Sequence, residues 1–340
     1  MAPAVALPVV EAVVEAVAAG SASNPLLLYL KQQPHVEGQT VADSIAINVE
    51  GVSKRFGKTL ALDHVSFQVK PATVHGFLGP NGAGKTTTIK LLMDFIRPSK
   101  GKLEILGKDT RANSVALKKR IGYLSGDFEL YNNLTGSQYI QYMSHLSGVK
   151  NQSRTQELVE DLSAVMDRKI GLLSRGNKQK IGLIAALMND PDILILDEPT
   201  TGLDPLMQQK FYKVVRDHAK RGKTVFMSSH ILSEVQEVCD HVTFMKKGKV
   251  LETVEVSNLL AKATRRVVLT VDKNVTMMAP PKVLGASNVS HTKHTLSFDV
   301  PQADRKVMRW IAMQPVKDVT INEADLDSVF MNLYEDEEEV

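Results

Sequence analysis

The sequence predicts an α/β protein in which helices cover a parallel sheet, with antiparallel strands at the sheet edge, a helical subdomain and a small C-terminal α/β domain. From Ile45 onward, short apolar runs alternate with longer stretches of helical spacing. Residues 134–189 are almost free of strand patterns, and after Ser257 short strands begin again. These observations divide the chain into residues 1–44, 45–256 with a helical insert at about 128–189, and 257–340.

The first segment predicts a short amphipathic helix followed by a linker. Four valines between positions 10 and 17 share one helical face, Pro8 suits the start of a helix, and Gly20 suits its end. Residues 21–43 mix Pro, Gly, Gln and Ser around a small apolar patch, as linkers do. A tail without chemistry is the simplest interpretation, and docking to a partner or a membrane surface is the alternative.

The two remaining segments carry the predicted strands. In the central segment these are Ile45–Val49, Val65–Val69, Val74–Leu78, Ile193–Leu196, Thr224–Met227 and Val242–Met245. In the C-terminal segment they are Val267–Val271, Leu296–Val300 and Val319–Ile321, with helices beginning near Ala303 and Ala324. The chain closes with the acidic run Glu335–Glu339, which we interpret as a solvated tail.

Composition excludes several classes of protein. With 43% hydrophobic and 23% charged residues, the chain has ordinary globular usage. A net charge of +3 gives no basis for a nucleic-acid partner, and none is expected. The single Cys239 cannot form an internal disulfide or a cysteine cluster for zinc, which favours a reducing cytosol. No uninterrupted apolar run reaches the roughly 18 residues of a membrane span, and no cationic residue precedes Lys31, so we expect neither a span nor a secretory signal.

A glycine-rich loop directly follows the predicted strand Val74–Leu78. Its sequence is Gly79-Pro80-Asn81-Gly82-Ala83-Gly84-Lys85-Thr86-Thr87, and a predicted helix, Thr88–Phe95, follows it. The glycines let backbone N–H groups converge on phosphate oxygens, and the helix N-terminus adds its dipole. Lys85 supplies charge to the β- and γ-phosphates, while the Thr86 hydroxyl is placed to ligate magnesium. Strand, loop and helix together predict the sheet of a P-loop NTPase that binds a nucleoside triphosphate and Mg²⁺.

A second predicted strand, Ile193–Leu196, ends in Asp197 and Glu198. Open parallel sheets place their ligands at this carboxyl edge. We expect Asp197 to reach magnesium and Glu198 to polarise the water that attacks the γ-phosphorus.

The motifs of the central segment resemble those of the ATP-binding subunits of ABC transporters, most closely those of prokaryotic exporters. The resemblance spans roughly residues 45–256. It rests on residues 79–87, Asp197-Glu198-Pro199-Thr200, Thr201-Gly202-Leu203-Asp204, Ser228-Ser229-His230 and Leu173-Ser174-Arg175-Gly176-Asn177-Lys178-Gln179.

The resemblance implies further roles. Ser174, Arg175, Gly176 and Asn177 match the signature loop that faces the γ-phosphate held by an opposing subunit. His230 matches the switch histidine, Asp204 a loop at the dimer interface, and Phe56 the aromatic platform for adenine. The partners implied are a multi-pass membrane permease and a second copy of the chain or a homologous subunit, which places the protein in the cytoplasm, peripheral on the cytoplasmic face of the membrane.

The chain also departs from the family pattern. Arg175 and Asn177 replace the usual glycine and glutamine of the signature, and Gly126 stands where a glutamine is usual. Asp127 is a candidate substitute for that glutamine as a magnesium or water contact. His291 and His294 have a metal-like spacing but no third ligand nearby, so a solvated strand face is the better interpretation. Cys239 is interpreted as a packed thiol on a helix.

Two other classes of function compete with ATP-driven export. A non-transport ATPase could use the same head-to-tail dimer on a macromolecular partner, but repair clamps need long coiled coils and ribosome-acting relatives carry two cassettes, and neither pattern occurs in this sequence. A nucleotide-gated scaffold without turnover is disfavoured by the presence of Glu198 and His230. The transported substrate is not encoded in these motifs, since its selection would belong to the permease.

Overall fold

The computed structural model describes residues 45–148, 152–262, 264–271 and 279–322. The predicted N-terminal helix and linker, the helix near Ala324 and the acidic tail lie outside the described residues. In chain order the strands are β1 (Ile47–Phe56), β2 (Thr59–Val69), β3 (Val74–Leu78), β4 (Lys100–Ile105), β5 (Lys108–Asp109), β6 (Ile121–Leu124), β7 (Ile193–Asp197), β8 (Thr224–Ser229), β9 (His241–Lys246), β10 (Lys249–Glu255), β11 (Arg265–Thr270), β12 (Ser287–His291), β13 (Thr295–Val300) and β14 (Asp318–Ile321).

The described helices alternate with these strands. They are α1 (Lys85–Leu92), α2 (Ser114–Lys118), α3 (Gly136–Ser147), α4 (Ser153–Asp161), α5 (Arg175–Leu187), α6 (Pro205–Lys220), α7 (Leu232–Val238), α8 (Val256–Lys262) and α9 (Arg305–Ala312), with short 3₁₀ turns at Ile170–Leu172 and Lys282–Leu284. No helix in the described part of the chain combines the length and the apolarity needed to cross a bilayer.

The largest sheet has the strand order β10-β9-β3-β8-β7-β6. Strands β3, β6, β7, β8 and β9 run parallel, and β10 pairs antiparallel with β9 at the edge. The prediction of a parallel sheet with an antiparallel edge is therefore confirmed. Because β3, β8 and β7 are neighbours, the residues that follow their carboxyl ends meet at one edge of the sheet.

A second, antiparallel sheet with the order β2-β1-β4-β5 covers one face of the large sheet. Its Ile47 and Val65 share a core with Phe77, Ile193 and Phe226 of the large sheet. Strands β1 and β2 are longer than predicted, and shifts in register interrupt their pairing. These irregularities break the alternation of apolar residues and so conceal the full length of both strands in the sequence.

The predicted helical insert is formed by α3, α4 and α5. These helices pack in the core on the other face of the large sheet, where Ile140, Leu158 and Ile184 are buried together with Leu196. Helix α5 begins at Arg175, directly after Ser174, so the signature motif forms the start of this helix.

Residues 264–271 and 279–322 form an antiparallel sheet with the order β12-β13-β11-β14 and the helix α9. Their own core contains Val267, Leu269, Phe298, Val307 and Ile311, apart from the two cores above. Helix α9 begins two residues later than predicted because the Asp304 carboxylate accepts hydrogen bonds from the N–H groups of Lys306 and Val307.

Two other predictions about helices were also wrong. Helix α1 begins at Lys85 and not at Thr88, because Gly84 takes a left-handed conformation (φ 110°) and the helix starts at the next residue. Thr86 and Thr87 therefore lie in its first turn. Cys239 follows the last residue of α7 and does not lie within a helix.

Candidate active site

The phosphate loop is shaped by close backbone packing against β9. A Cβ atom on Gly79 would lie 2.3 Å from the carbonyl oxygen of Met245, and one on Gly84 would lie 2.6 Å from a methyl carbon of Leu62. Neither position has room for a side chain. Helix α1 has no acidic residue in its first turn, so the positive end of its dipole is not neutralised from within the helix. The sequence therefore builds an anion site at the end of β3.

Lys85 is the first residue of α1, near the end of this loop. Its side chain is 5% exposed, and its Nζ donates hydrogen bonds to the carbonyl oxygens of Gly79 at 2.7 Å and Pro80 at 3.2 Å. The same Nζ lies 3.5 Å from Glu198 Oε1. The ammonium thus connects the phosphate loop to the end of β7.

Asp197 and Glu198 are held by one serine of the neighbouring strand. Ser228 Oγ donates to Asp197 Oδ1 at 2.5 Å and accepts a hydrogen bond from the Glu198 N–H at 3.0 Å. Asp197 is buried, whereas the Glu198 side chain is 27% exposed. Glu198 has a positive φ of 47°, which costs a non-glycine residue about 1 to 3 kcal/mol. This strained turn directs the carboxylate back toward the phosphate loop.

His230 lies on the other side of Glu198. Its Nδ1 is 3.3 Å from Glu198 Oε1, and its side chain is 41% exposed. One carboxylate oxygen therefore faces both the Lys85 ammonium and the His230 imidazole. Sequence motifs far apart in the chain meet here because β3, β7 and β8 end at the same edge.

Glu234 is a buried residue of this region that the sequence did not indicate. It is 4% exposed and accepts hydrogen bonds from the hydroxyl groups of Thr200 and Ser229, the latter at 2.7 Å. It therefore joins the segment after Glu198 to the residue before His230. One sequence signal could have revealed it: Glu234 stands among the apolar residues of α7. Burying an unpaired charge there would be costly, so the carboxylate needs hydrogen-bond partners. The apolar residues are Leu232, Val235 and Val238.

A cavity of about 450 Å³ lies between the phosphate loop, β2 and the β9–β10 turn. Lys85, Thr86, Thr87 and Glu198 line it, together with Lys247 from the turn. At the same end of β2, Phe56 pairs with Thr59. Its side chain is 48% exposed, and Lys54 Nζ lies 4.7 Å from its ring centroid. The ring is thus an accessible stacking surface, polarised by a neighbouring cation.

The four signature residues lie at the start of α5. Ser174 caps the helix, its Oγ accepting from the Asn177 N–H at 3.3 Å. A Cβ atom on Gly176 would lie 2.8 Å from the Gly202 carbonyl oxygen, and the aliphatic part of Arg175 covers Gly202. The signature therefore packs on the loop that leads to Asp204, whose carboxylate caps α6 by accepting from the Met207 N–H.

The side chain of Asn177 does not face outward with the others. It is 7% exposed, its Oδ1 accepts from the Val165 N–H at 2.9 Å, and its Nδ2 donates to the Val165 carbonyl at 3.0 Å. In the same helix, the buried Gln179 donates to the Pro199 carbonyl at 2.7 Å. These amides fix α5 against the insert on one side and the β7 turn on the other.

The oxygen donors near the phosphate loop fit a magnesium ion. Thr86 presents an exposed side chain in the first turn of α1, and Asp197 supplies a carboxylate. A Cβ atom on Gly126 would lie 3.3 Å from the Asp197 carbonyl oxygen and 3.8 Å from its Oδ2, so the Gly126 backbone lies close beside this residue. Such oxygen ligands suit Mg²⁺. Asp127 is exposed and has no hydrogen bond or ion pair with these groups within the described residues.

The remaining predicted candidates lie elsewhere. His291 is exposed on β12 and His294 is exposed in the following turn, and the described residues include no cluster of three potential metal ligands. Cys239 is buried, and burial raises the pKa of its thiol above the usual range. Its Sγ lies 3.0 Å from where a Cβ of Gly76 would be, which agrees with the interpretation as a packed thiol.

Comparisons with known proteins identify the family. A family model described as "ABC transporter" matches residues 62–201. The probable multidrug ABC transporter ATP-binding protein YbhF of Escherichia coli is 33% identical over 250 residues, which are 72% of this chain and 42% of YbhF. The chain thus spans less than half the length of that relative.

Two further matches cover their counterparts more fully. The daunorubicin resistance ATP-binding protein DrrA3 of Streptomyces coeruleorubidus is 31% identical over 308 residues, covering 87% of this chain and 98% of DrrA3. A solved structure of an ATP-binding subunit of an ABC transporter has the same fold, with a TM-score of 0.58 and 23% identity over 63% of this chain and 91% of that one. By its match to nearly the whole of DrrA3 and by its phosphate loop, this chain belongs to the ATP-binding subunits of ABC transporters, the ABC ATPases.

Proposed function

We propose that this chain hydrolyses ATP to power the export of a substrate through a separate membrane permease. The observation that carries the proposal is the meeting of Lys85, Glu198 and His230 beside a cavity lined by the phosphate loop. The names of YbhF and DrrA3 refer to multidrug transport and drug resistance, which favours export over uptake.

The geometry supports a role for Glu198 as the general base. Its Oε1 is paired with Lys85 at 3.5 Å, so bound phosphate oxygens would compete for the ammonium. Once Lys85 turns to the β- and γ-phosphates, Glu198 is free to accept a proton from water. The water oxygen then bonds to the γ-phosphorus, and the bond from this phosphorus to the bridging oxygen breaks, giving ADP and phosphate. His230, 3.3 Å from the same Oε1, is placed to orient the water and contact the γ-phosphate.

Thr86 and Asp197 are the residues that would hold Mg²⁺. When bound, the ion would neutralise charge on the phosphate oxygens. Ser228 is hydrogen-bonded to both the Asp197 carboxylate and the Glu198 backbone, so it fixes the position of the proposed metal ligand relative to the proposed base. Asp127 as an additional contact stays a prediction.

The signature residues support a head-to-tail dimer. The exposed start of α5 has no acidic residue in its first turn and begins with Arg175, so it is electropositive. In a dimer, the Ser174 hydroxyl and this helix end would bind the γ-phosphate held by the opposing subunit. Phosphate cleavage then weakens the attraction between the subunits, and the two halves separate.

A groove between the insert and β6 is the candidate docking site for the permease. It has a volume of about 870 Å³, and its lining includes Phe128, Leu130, Tyr139 and Met143 together with Lys118. An apolar groove of this kind suits an amphipathic helical segment of a membrane subunit. Docking there would hold the chain peripherally on the cytoplasmic face of the membrane. A non-transport ATPase acting on a macromolecular partner stays the alternative.

Membrane recruitment separates the two possibilities. In the test, the chain is co-expressed with a candidate permease, chosen as a protein with about six hydrophobic spans encoded by a neighbouring gene. The isolated membranes are then assayed for the bound chain. We expect the wild type to copurify with the permease and Met143→Glu to be lost from it while still binding ATP. Full ATPase function in cells that lack any such membrane protein would contradict the transport assignment.

A further inference from the structure

Lys247 lies at the tip of the hairpin between β9 and β10. Lys246 pairs with Lys249, which leaves Lys247 and Gly248 as a two-residue turn with φ values of 47° and 79°. Positive φ at both positions is the geometry of a type I′ turn, which favours asparagine or glycine at its first position. A lysine there is strained.

The turn is fixed to the phosphate loop and to β2. The Gly248 N–H donates to the Ala83 carbonyl at 2.9 Å, and the Gly248 carbonyl accepts from the Asp63 N–H at 2.8 Å. A Cβ atom on Gly248 would lie 2.6 Å from the Ala61 carbonyl oxygen. The turn therefore cannot move away from the loop without losing these contacts, and the position of Lys247 is set.

Lys247 lines the same 450 Å³ cavity as the phosphate loop. It enters the lining beside Thr59, Leu60 and Ala61 of β2, the strand that follows the turn after Phe56. The hairpin is hydrogen-bonded to Asp63 of β2, and β2 begins opposite Phe56, so Lys247 lies on the side of the cavity that β2 forms.

The charges around the hairpin distinguish Lys247 from its neighbour. Lys249 Nζ lies 3.6 Å from Asp63 Oδ2, outside the cavity lining. Lys85 already lies 3.5 Å from Glu198. For Lys247, the described residues provide no carboxylate within ion-pair distance. A cation with no internal counter-ion, held on a strained turn inside a phosphate-binding cavity, is suited to an anionic ligand.

We propose that Lys247 is a further nucleotide-binding residue that contacts the α-phosphate, the phosphate next to the nucleoside. It contributes to affinity for the nucleotide and takes no part in cleaving the terminal phosphate. This inference rests on nucleotide binding as proposed above. It also gives a reason for a lysine at a backbone position where glycine would be relaxed.

Binding of ADP and of a non-hydrolysable ATP analogue to the full chain tests the inference by titration calorimetry. We expect Lys247→Ala and Lys247→Gly to weaken both nucleotides about 5- to 10-fold and by the same factor, because both ligands carry the α-phosphate. Lys249→Ala, on the same hairpin but paired with Asp63, is the matched control and leaves the affinity unchanged. The salt dependence of binding falls in both Lys247 variants.

Thermal unfolding of the same variants checks the strain. Lys247→Gly unfolds at a temperature about 2 °C higher than Lys247→Ala, because glycine relaxes the positive φ. Unchanged affinity in both variants, with a wild type that binds ADP, overturns the inference alone. A wild type that binds neither nucleotide overturns both the inference and the proposed function.

Discussion

Glu198 Oε1 lies 3.3 Å from His230 Nδ1. The two residues are 32 positions apart in the sequence, and the strand order of the large sheet places them side by side. The same oxygen lies 3.5 Å from Lys85 Nζ, so one carboxylate oxygen contacts both the ammonium of the phosphate loop and the imidazole. The predictions below test this arrangement and the hydrogen bonds that support it.

Glu198→Gln removes the proposed base while keeping the size of the side chain. We expect kcat for ATP hydrolysis to fall by about 100- to 10,000-fold, since an amide cannot accept the proton. Nucleotide binding is retained, and a dimer accumulates with ATP that can be measured by size-exclusion chromatography. Glu237→Gln, at an exposed position of α7, is the control. A hydrolysis rate equal to wild type would remove Glu198 from the role of base.

Glu234→Ala tests the buried link between Thr200 and Ser229. Two buried hydroxyl groups lose their acceptor, so we expect the free energy of unfolding to fall by about 2 to 4 kcal/mol. The Gly79 N–H of the phosphate loop donates to the Ser229 carbonyl oxygen at 3.3 Å, a backbone bond that does not use the Glu234 carboxylate. ADP affinity therefore stays within a factor of two or so, while kcat falls because His230 and Glu198 are less well positioned. Glu237→Ala on the same helix serves as the control for both measurements. Loss of ADP binding and kcat together in a folded variant would contradict a positioning role.

Asn177→Ala tests the attachment of α5 to the insert. The Val165 N–H and carbonyl lose their partners, which costs about 1 to 3 kcal/mol of stability in urea unfolding. We expect the ATP-dependent dimer of the Glu198→Gln background to weaken, because the start of α5 is held less firmly. ADP affinity of the monomer is unchanged, and Lys178→Ala is the neighbouring control. A dimer as stable as before would show that Asn177 supports the fold without affecting the signature.

His75 gives a prediction for pH. Burial, reinforced by the nearby His241, lowers the pKa of His75 from 6.5 to about 3. Between these values the unfolded chain binds a proton that the folded chain does not, so stability is present above pH 6.5 and is lost as the pH falls toward 3. From pH 7 to pH 5, His75 should account for a loss of about 2 kcal/mol in the free energy of unfolding.

Urea unfolding at both pH values measures this loss. His75→Gln removes the titrating group and should reduce the pH dependence by the same amount, although it also alters the hydrogen bond between His75 Nε2 and Thr243 Oγ1. An identical pH dependence in wild type and variant would rule out His75 as its source. Burial also lowers the pKa of His218, to about 4. Because His218 is present in both proteins, its own loss of stability at low pH is common to wild type and variant.

Sequence patterns located the phosphate loop, the strand ending in Asp197 and Glu198, and the α/β class, because each depends on residues that are adjacent in the chain. The full lengths of β1 and β2 escaped prediction because bulges interrupt their alternation. The start of α1 was misplaced because the left-handed conformation of Gly84, which the sequence permits but does not require, sets the first helical residue.

By itself, the sequence determined which local chemistry is present: glycines without side chains around a lysine, carboxylates at the end of an apolar strand, and a serine that can cap a helix. Only the tertiary structure decided that Asn177 turns inward to Val165, that Glu234 joins Thr200 to Ser229, and that Lys247 borders the cavity beside the phosphate loop. These relations depend on strand order and helix packing, which bring together groups separated by tens of residues. Local patterns specify the elements, but the burial of apolar faces against one another fixes where their ends meet.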